Sequence, residues 1–381
     1  MNIGILTYHR AYNMGAYLQA CALCARLNGE PDIEAEIIDF RMKKEVSYYD
    51  RDWPAWKKMI LPQKYRFNKE RDRAIREAGG RGMMKVSPES LTSDSVEEFV
   101  SFVKGKYDVI VAGSDEIWKV TNFRGFPNPY WLIGDLGCRK VSYAASSRCD
   151  FEKASPEIRE AAARALEDFD YIGVRDRMTY DQIVRLTGDR ERVRMNCDPS
   201  LLYRFDIEPC NFRKICAGRG YDPFKKNLLV MLEDKKLAAG IWQKYHRDYN
   251  LISVYIWHPG FINMPSVSPR QWVSMIRGAD LVMTSFFHAT CYSILYQVPF
   301  VTFSADNKSI KLGDLLEGSG MEDRYIKDPK AFFAGRDLTA FMRPVSSEDF
   351  IDRQREAFGG FLKALRGGRE EPDRKQREAD S

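Results

Sequence analysis

The 381-residue sequence predicts an α/β protein built from two doubly wound domains that face each other across a cleft. Three observations predict it. Short apolar runs alternate with segments of helical period, the pattern of a parallel sheet covered by helices. The pattern occurs twice, and the stretch 206–226 between the two series carries Pro209, Gly218, Gly220 and Pro223. The chain is also longer than one hydrophobic core commonly supports.

In the first series the strands are NIGILTY, EAEIIDF, YDVIVAG, RKVSYAAS and YIGVRD, with helices over 16–27, 95–103 and 156–169. Pro156 suits a first helical position behind a Ser155 cap. Between 48 and 89 the pattern breaks into WPAWKKMILPQKYRF and NKERDRAIREAGGRG, an insertion with helices of its own. Its Trp53, Trp56, Met59 and Ile60 fit a small local core, a membrane interface or a sugar. The second series gives KNLLVML, LISVYIW, DLVMTS and PFVTFS, with helices over 235–245, 268–277 and 289–296. SSEDFIDRQREAFGGFLKALRGG then reads as one or two amphipathic helices, and the charged REEPDRKQREADS as a disordered tail. The expected division is 1–205, 206–335, C-terminal helices over 336–366, and a tail over 367–381.

Composition excludes several classes. Apolar residues make up 44% and charged residues 30%, an ordinary globular balance. A net charge of +5 is too slight for a dedicated nucleic-acid binder. No run of about 18 apolar residues occurs, and MNIGILTYHR enters a strand without a signal-peptide pattern. Cys21 and Cys24 form a CxxC inside a helical pattern without a second pair, so they read as buried small hydrophobes. The expectation is a cytoplasmic protein without a metal site.

Ligands of doubly wound sheets bind beyond the carboxyl ends of the strands. The first such end gives Asn13 and Gly15 at a helix start, where backbone N–H groups favour anions. The third gives GSDEIW, with Ser114 and with Asp115 as helix cap or acid/base. SYAASS supplies small residues, including Ser146, that leave room for a ligand. YIGVRD ends on Arg175, either a fork for phosphate or carboxylate or an ion-pair partner of Asp176 or Asp198. In the second series, TSFFHATCYSILYQVPF places Ser285 and His288 where a buried strand ends and a helix begins.

Taken in order, NMGAYLQ, GSDEIW, YWLIGDL with KVSYAAS, GVRD, CDPSLL, and ADLVMTSFFHAT with VPFV resemble the polysaccharide pyruvyl transferase family, over about 3–316. The resemblance implies two Rossmann-like domains in a GT-B-like arrangement. It implies phosphoenolpyruvate as donor and, as acceptor, a sugar that receives pyruvate as a ketal, in a lipid-linked polysaccharide precursor at the inner face of the membrane. No cofactor or metal is implied. His288 is then expected to contact phosphate and protonate the leaving group, and Asp115 to take the hydroxyl proton. Arg175, Ser285 and Lys308 or Lys311 would hold the donor's anionic groups, with Asn13, Gly15, Ser114 and Ser146 on the acceptor side.

The chain departs from the family pattern at Glu116 (usually Gln), Lys119, Ser147-Arg148 (usually Phe-Gly), Phe286 and Ala289. These departures leave room for a non-catalytic member that binds glycans or a partner. A nucleotide-sugar glycosyltransferase is the third reading, although no E-x-x-x-x-x-x-E segment follows His288.

Overall fold

The computed structural model describes residues 1–50, 52–78, 83–304, 309–335 and 337–367. Two all-parallel sheets follow one another. The first contains β1 (Asn2–Leu6), β2 (Glu34–Arg41), β3 (Val86–Thr92), β4 (Val109–Ala112), β5 (Arg139–Ala145), β6 (Phe169–Val174) and β7 (Val193–Met195), in the order β3-β2-β1-β4-β5-β6-β7. The second contains β8 (Lys226–Met231), β9 (Tyr249–Val254), β10 (Ile262–Met264), β11 (Leu281–Thr284), β12 (Phe300–Phe303) and β13 (Tyr325–Ile326), in the order β10-β9-β8-β11-β12-β13.

The central strands are continuous apolar runs because helices cover both faces of each sheet. Ile3, Ile5, Leu6 and all four residues of β4 are buried, as are Leu228, Leu229, Val230 and Met231 of β8. Strand order reverses at β1/β4 in the first sheet and at β8/β11 in the second, the switch points where such sheets open a crevice.

The segment 48–89 holds the helices Ala55–Ile60 and Pro62–Ala78, but its last residues already belong to β3. Pro88 lacks an N–H for a ladder bond, and β3 tolerates it as an edge strand. After the second sheet, helix Glu348–Leu365 returns to the first. Phe361 packs on Tyr143 and Tyr171, with ring centroids 4.7 and 5.4 Å away. Arg139 donates to the helix's last carbonyls, Leu365 at 2.7 Å and Ala364 at 3.0 Å. The charged tail beyond 367 lies outside the described residues.

The tryptophan of GSDEIW is a core residue. Trp118 is fully buried, stacked on Trp131 of YWLIGDL and edge-on to Phe169. Cys21 and Cys24 are buried on helix Met14–Leu27, and burial raises both thiol pKa values.

Candidate active site

The loops that leave β1, β4, β8 and β11 meet in a cleft of about 320 Å3 between the sheets. Asn13 and Gly15 come from the first loop, Asp115 and Glu116 from the second, Glu233 from the third, and His288 from the fourth. Among the described residues, six non-glycine residues have positive φ, and three of them, Asp115 (81°), Arg148 (41°) and Tyr255 (71°), line this cleft. Such conformations carry a cost and gather where surrounding structure holds a functional geometry.

His288 occupies the first turn of helix Phe287–Leu295, whose N-terminus has no side-chain cap. Its backbone N–H groups are therefore open to an anion. The imidazole Nδ1 lies 3.1 Å from the Ser200 hydroxyl and 3.5 Å from the Asp198 carboxylate. With Nδ1 so committed, Nε2 is the nitrogen left for chemistry in the cleft. A Cβ on Gly15 would fall 2.1 Å from His288 Cδ2, so glycine is what allows helix Met14–Leu27 to approach the ring. That helix is capped by Asn13, whose side-chain oxygen accepts from the N–H groups of Gly15 (2.9 Å) and Ala16 (3.3 Å).

Asp198 holds two groups from beneath the cleft floor, the His288 imidazole and the Arg175 guanidinium. One of its oxygens faces His288. The other accepts from Arg175 Nη1 at 2.6 Å and from the Ser114 hydroxyl at 3.3 Å. Burial would raise the pKa of Asp198, but His288 and Arg175 outweigh it and hold the carboxyl far below the usual range. Arg175 also donates to Asp115 at 3.2 Å, and its side chain is 1% exposed. It therefore lies behind the cleft wall as the ion-pair partner of two carboxylates. From there it fixes Asp115, whose carboxylate lines the cleft.

Among the described residues, the cations that reach the cleft are Lys119, Arg124, Arg148 and Lys311. Glu116 stands among three of them: Arg148 Nη1 at 2.8 Å, Lys311 Nζ at 3.2 Å and Lys119 Nζ at 3.9 Å. Burial opposes its ionisation, yet Lys311 and Arg148 bring the pKa down to about 2. Burial lowers the pKa of Lys311, and neighbouring Arg175 adds to this. Arg124 is bound to Glu45 beneath Tyr8.

Of the residues singled out in the sequence, His288, Asp115, Asn13 and Gly15 line the cleft together, and Lys311 joins them. Ser114 and Ser146 are fully buried behind it, bonded to Asp198 and Asp176. The Ser285 hydroxyl is buried without a hydrogen-bond partner among the described residues and lies off the cleft lining. Lys308 lies outside the described residues. Sequence reasoning gave Asp198 no site role beyond an ion pair, although CDPSLL contains it. It also treated Glu116 and Arg148 as separate departures, whereas they bond to each other. Phe286 lines the cleft against Tyr255, edge to face at 5.6 Å.

A family model described as polysaccharide pyruvyl transferase matches residues 13–307, more than half of the chain. No curated protein matches the sequence. Similar solved structures include UDP-GlcNAc 2-epimerase from Neisseria meningitidis bound to UDP-GlcNAc, at TM-score 0.55 and 8% identity, covering 97% of this chain and 100% of that one. The enzyme from Methanocaldococcus jannaschii gives TM-score 0.53 and 12% identity, over 94% and 100%. A putative one from Listeria monocytogenes gives 0.55 and 11%, over 98% of each chain. At these identities the likeness establishes the GT-B fold.

Proposed function

Because the chain belongs to the polysaccharide pyruvyl transferase family, we propose that it transfers pyruvate from phosphoenolpyruvate to two hydroxyls of one sugar in a cell-surface polysaccharide precursor, closing a ketal. The observation that carries this reading is a convergence in one cleft: the uncapped N-terminus of helix Phe287–Leu295, the largely buried Lys311 ammonium, and His288 backed by Asp198. A phosphate is the ligand those three features suit together.

In this reading the phosphate sits at the helix N-terminus beside Lys311, and Arg148 and Lys119 attract the donor carboxylate. A proton delivered to the methylene carbon makes the adjacent carbon cationic. A sugar hydroxyl attacks that carbon and gives its proton to Asp115. His288 protonates the bridging oxygen as the C–O bond breaks and phosphate leaves. The second hydroxyl then adds to the same carbon. Two hydroxyl protons are thus exchanged for one on the new methyl group and one on phosphate. Arg175 and Asp198 are positioning residues: they hold Asp115 and His288 and touch no substrate. The acceptor in this proposal is lipid-linked and is met at the cytoplasmic face of the membrane.

Calorimetry with phosphoenolpyruvate tests the donor, using the wild type, Lys311→Ala and His288→Ala, with UDP-GlcNAc as the competing ligand. Binding of phosphoenolpyruvate that Lys311→Ala weakens at least tenfold is the expected result. Binding of UDP-GlcNAc alone, or of neither, would overturn the assignment.

A further inference from the structure

The short helix Ala55–Ile60 presents a contiguous apolar surface to solvent. Trp56, Met59 and Ile60 are 61, 78 and 63% exposed, and Leu61 continues the patch at 39%. Phe224 and Met195 are exposed singly, as in the ordinary scatter of a protein surface. Leu61 also enters the wall of an apolar groove of about 460 Å3, with Ala238, Trp242, Trp257 and Phe261.

Cations border this surface. Lys64 and Lys235 line the groove, and Lys57 lies over the Trp53 ring at 4.5 Å. Lys58 is paired with Asp52, but Lys64 and Lys235 have no ion pair among the described residues. Burial lowers the pKa of Lys64, and the neighbouring positive charges of Lys235, Lys57 and Arg71 lower it further. An apolar ridge of tryptophan and aliphatic side chains fringed by free lysines is the chemistry of an anionic bilayer surface.

We propose that the ridge Trp56, Met59, Ile60 and Leu61, with Lys57, Lys64 and Lys235 around it, docks this protein on an anionic lipid bilayer. The apolar side chains enter the interfacial layer while the lysines meet lipid phosphates. Among the described residues no helix is long and apolar enough to cross a membrane, so the contact is peripheral. The ridge is also close to the cleft. Helix Pro62–Ala78 carries Lys64 beside the groove, and seven residues later its Arg71 donates to the Tyr255 carbonyl at 3.1 Å. Tyr255 lines the cleft, and seven residues of helix span about 10 Å. A lipid-borne sugar would thus find the cleft about two helical turns from the surface. The docking extends the proposed reading of a membrane-borne acceptor but is tested without any substrate.

Flotation of the full chain with vesicles is the experiment, comparing pure phosphatidylcholine with mixtures containing phosphatidylglycerol. The expected result is binding to the mixed vesicles only, weakened by salt. Trp56→Ser with Met59→Ser should reduce it at least tenfold, and Lys64→Glu with Lys235→Glu by about twentyfold or more. All four side chains are off the catalytic cleft, and circular dichroism checks that the variants fold. Equal binding to both vesicles, binding unaffected by either pair of substitutions, or no binding would each overturn the proposal. So would a dimer that Trp56→Ser with Met59→Ser converts to monomer, since the ridge would then be a self-association face. A failed donor titration alongside successful flotation would sink only the proposed activity.

Discussion

Glu116 lies between Arg148 and Lys311, the cations to which the proposed donor's anionic groups would be drawn, so Glu116→Gln is the sharpest perturbation of this cleft. The lowering of its pKa from 4.5 to about 2 is the net effect left after burial, which raises it, is outweighed by Lys311 and Arg148. At about 1.4 kcal/mol for each tenfold change in acidity, that is roughly 3 kcal/mol. The amide keeps the shape and loses the charge. Two effects of opposite direction follow. The folded state loses an ion pair to the largely buried Lys311, and stability at neutral pH should fall by about 1–3 kcal/mol. An incoming anion no longer meets a carboxylate beside its own charge, which at about 4 Å and an effective dielectric near 20 opposes it by at most about 4 kcal/mol. Even half of that gives a gain in affinity of about tenfold to a hundredfold.

Calorimetry with phosphoenolpyruvate, and separately with inorganic phosphate, reads this directly. The variant should bind both more tightly while unfolding at lower temperature. The pH dependence supplies a second signature. Because the folded pKa is depressed, the Glu116 contribution is complete above its unfolded value of 4.5 and is lost as pH falls toward 2. Glu116→Gln should flatten that part of the acid limb. Unchanged or weaker anion affinity in a folded variant would refute the reasoning, because the cations around Glu116 would then serve only the carboxylate.

Three further outcomes are expected. Gly15→Ala places a methyl group against His288 Cδ2, so turnover should fall more than tenfold, with about 1–3 kcal/mol of stability lost on thermal denaturation. Asp198→Asn leaves buried Arg175 with Asp115 as its remaining carboxylate partner and withdraws the charge behind His288. It should cost about 3–5 kcal/mol at neutral pH, and steady-state kinetics should show turnover falling further than donor affinity. Because Asp198 is strongly acidic in the fold, that penalty should shrink as pH drops below about 4. Phe361→Ala removes a fully buried ring from the contact between the C-terminal helix and the first sheet. It should lower stability by about 3–5 kcal/mol and leave donor affinity, measured below the transition, unchanged.

The extent to which the sequence was readable follows from what each feature depends on. The central strands are buried on both faces, and their unbroken apolar runs are visible in one dimension. β7, β10 and β13 are two or three residues long and β3 contains Pro88, so nothing in their local pattern separates them from loops. The placement of His288 and Asp115 at the cleft was legible because each follows a readable strand at a point where the sheet order reverses. Arg175 was legible in position only. Strand-end placement does not say whether a side chain turns to the cleft or beneath it, and two carboxylates draw this one beneath.

The pairing of Glu116 with Arg148 depends on a fact that no local pattern carries, the adjacency of β4 and β5. That adjacency brings the loop after one strand against the loop after the other, across 32 residues of chain. Two departures from the family pattern thereby become one compensated change: an acid replaces an amide where a cation has appeared opposite it. An isolated new carboxylate in an anion site would signal lost binding. A carboxylate bonded to a new guanidinium preserves the local charge balance, and Lys311 and Lys119 stand beside the pair. If the cleft takes the anionic donor proposed above, Glu116 sets how strongly that anion must bind to enter it.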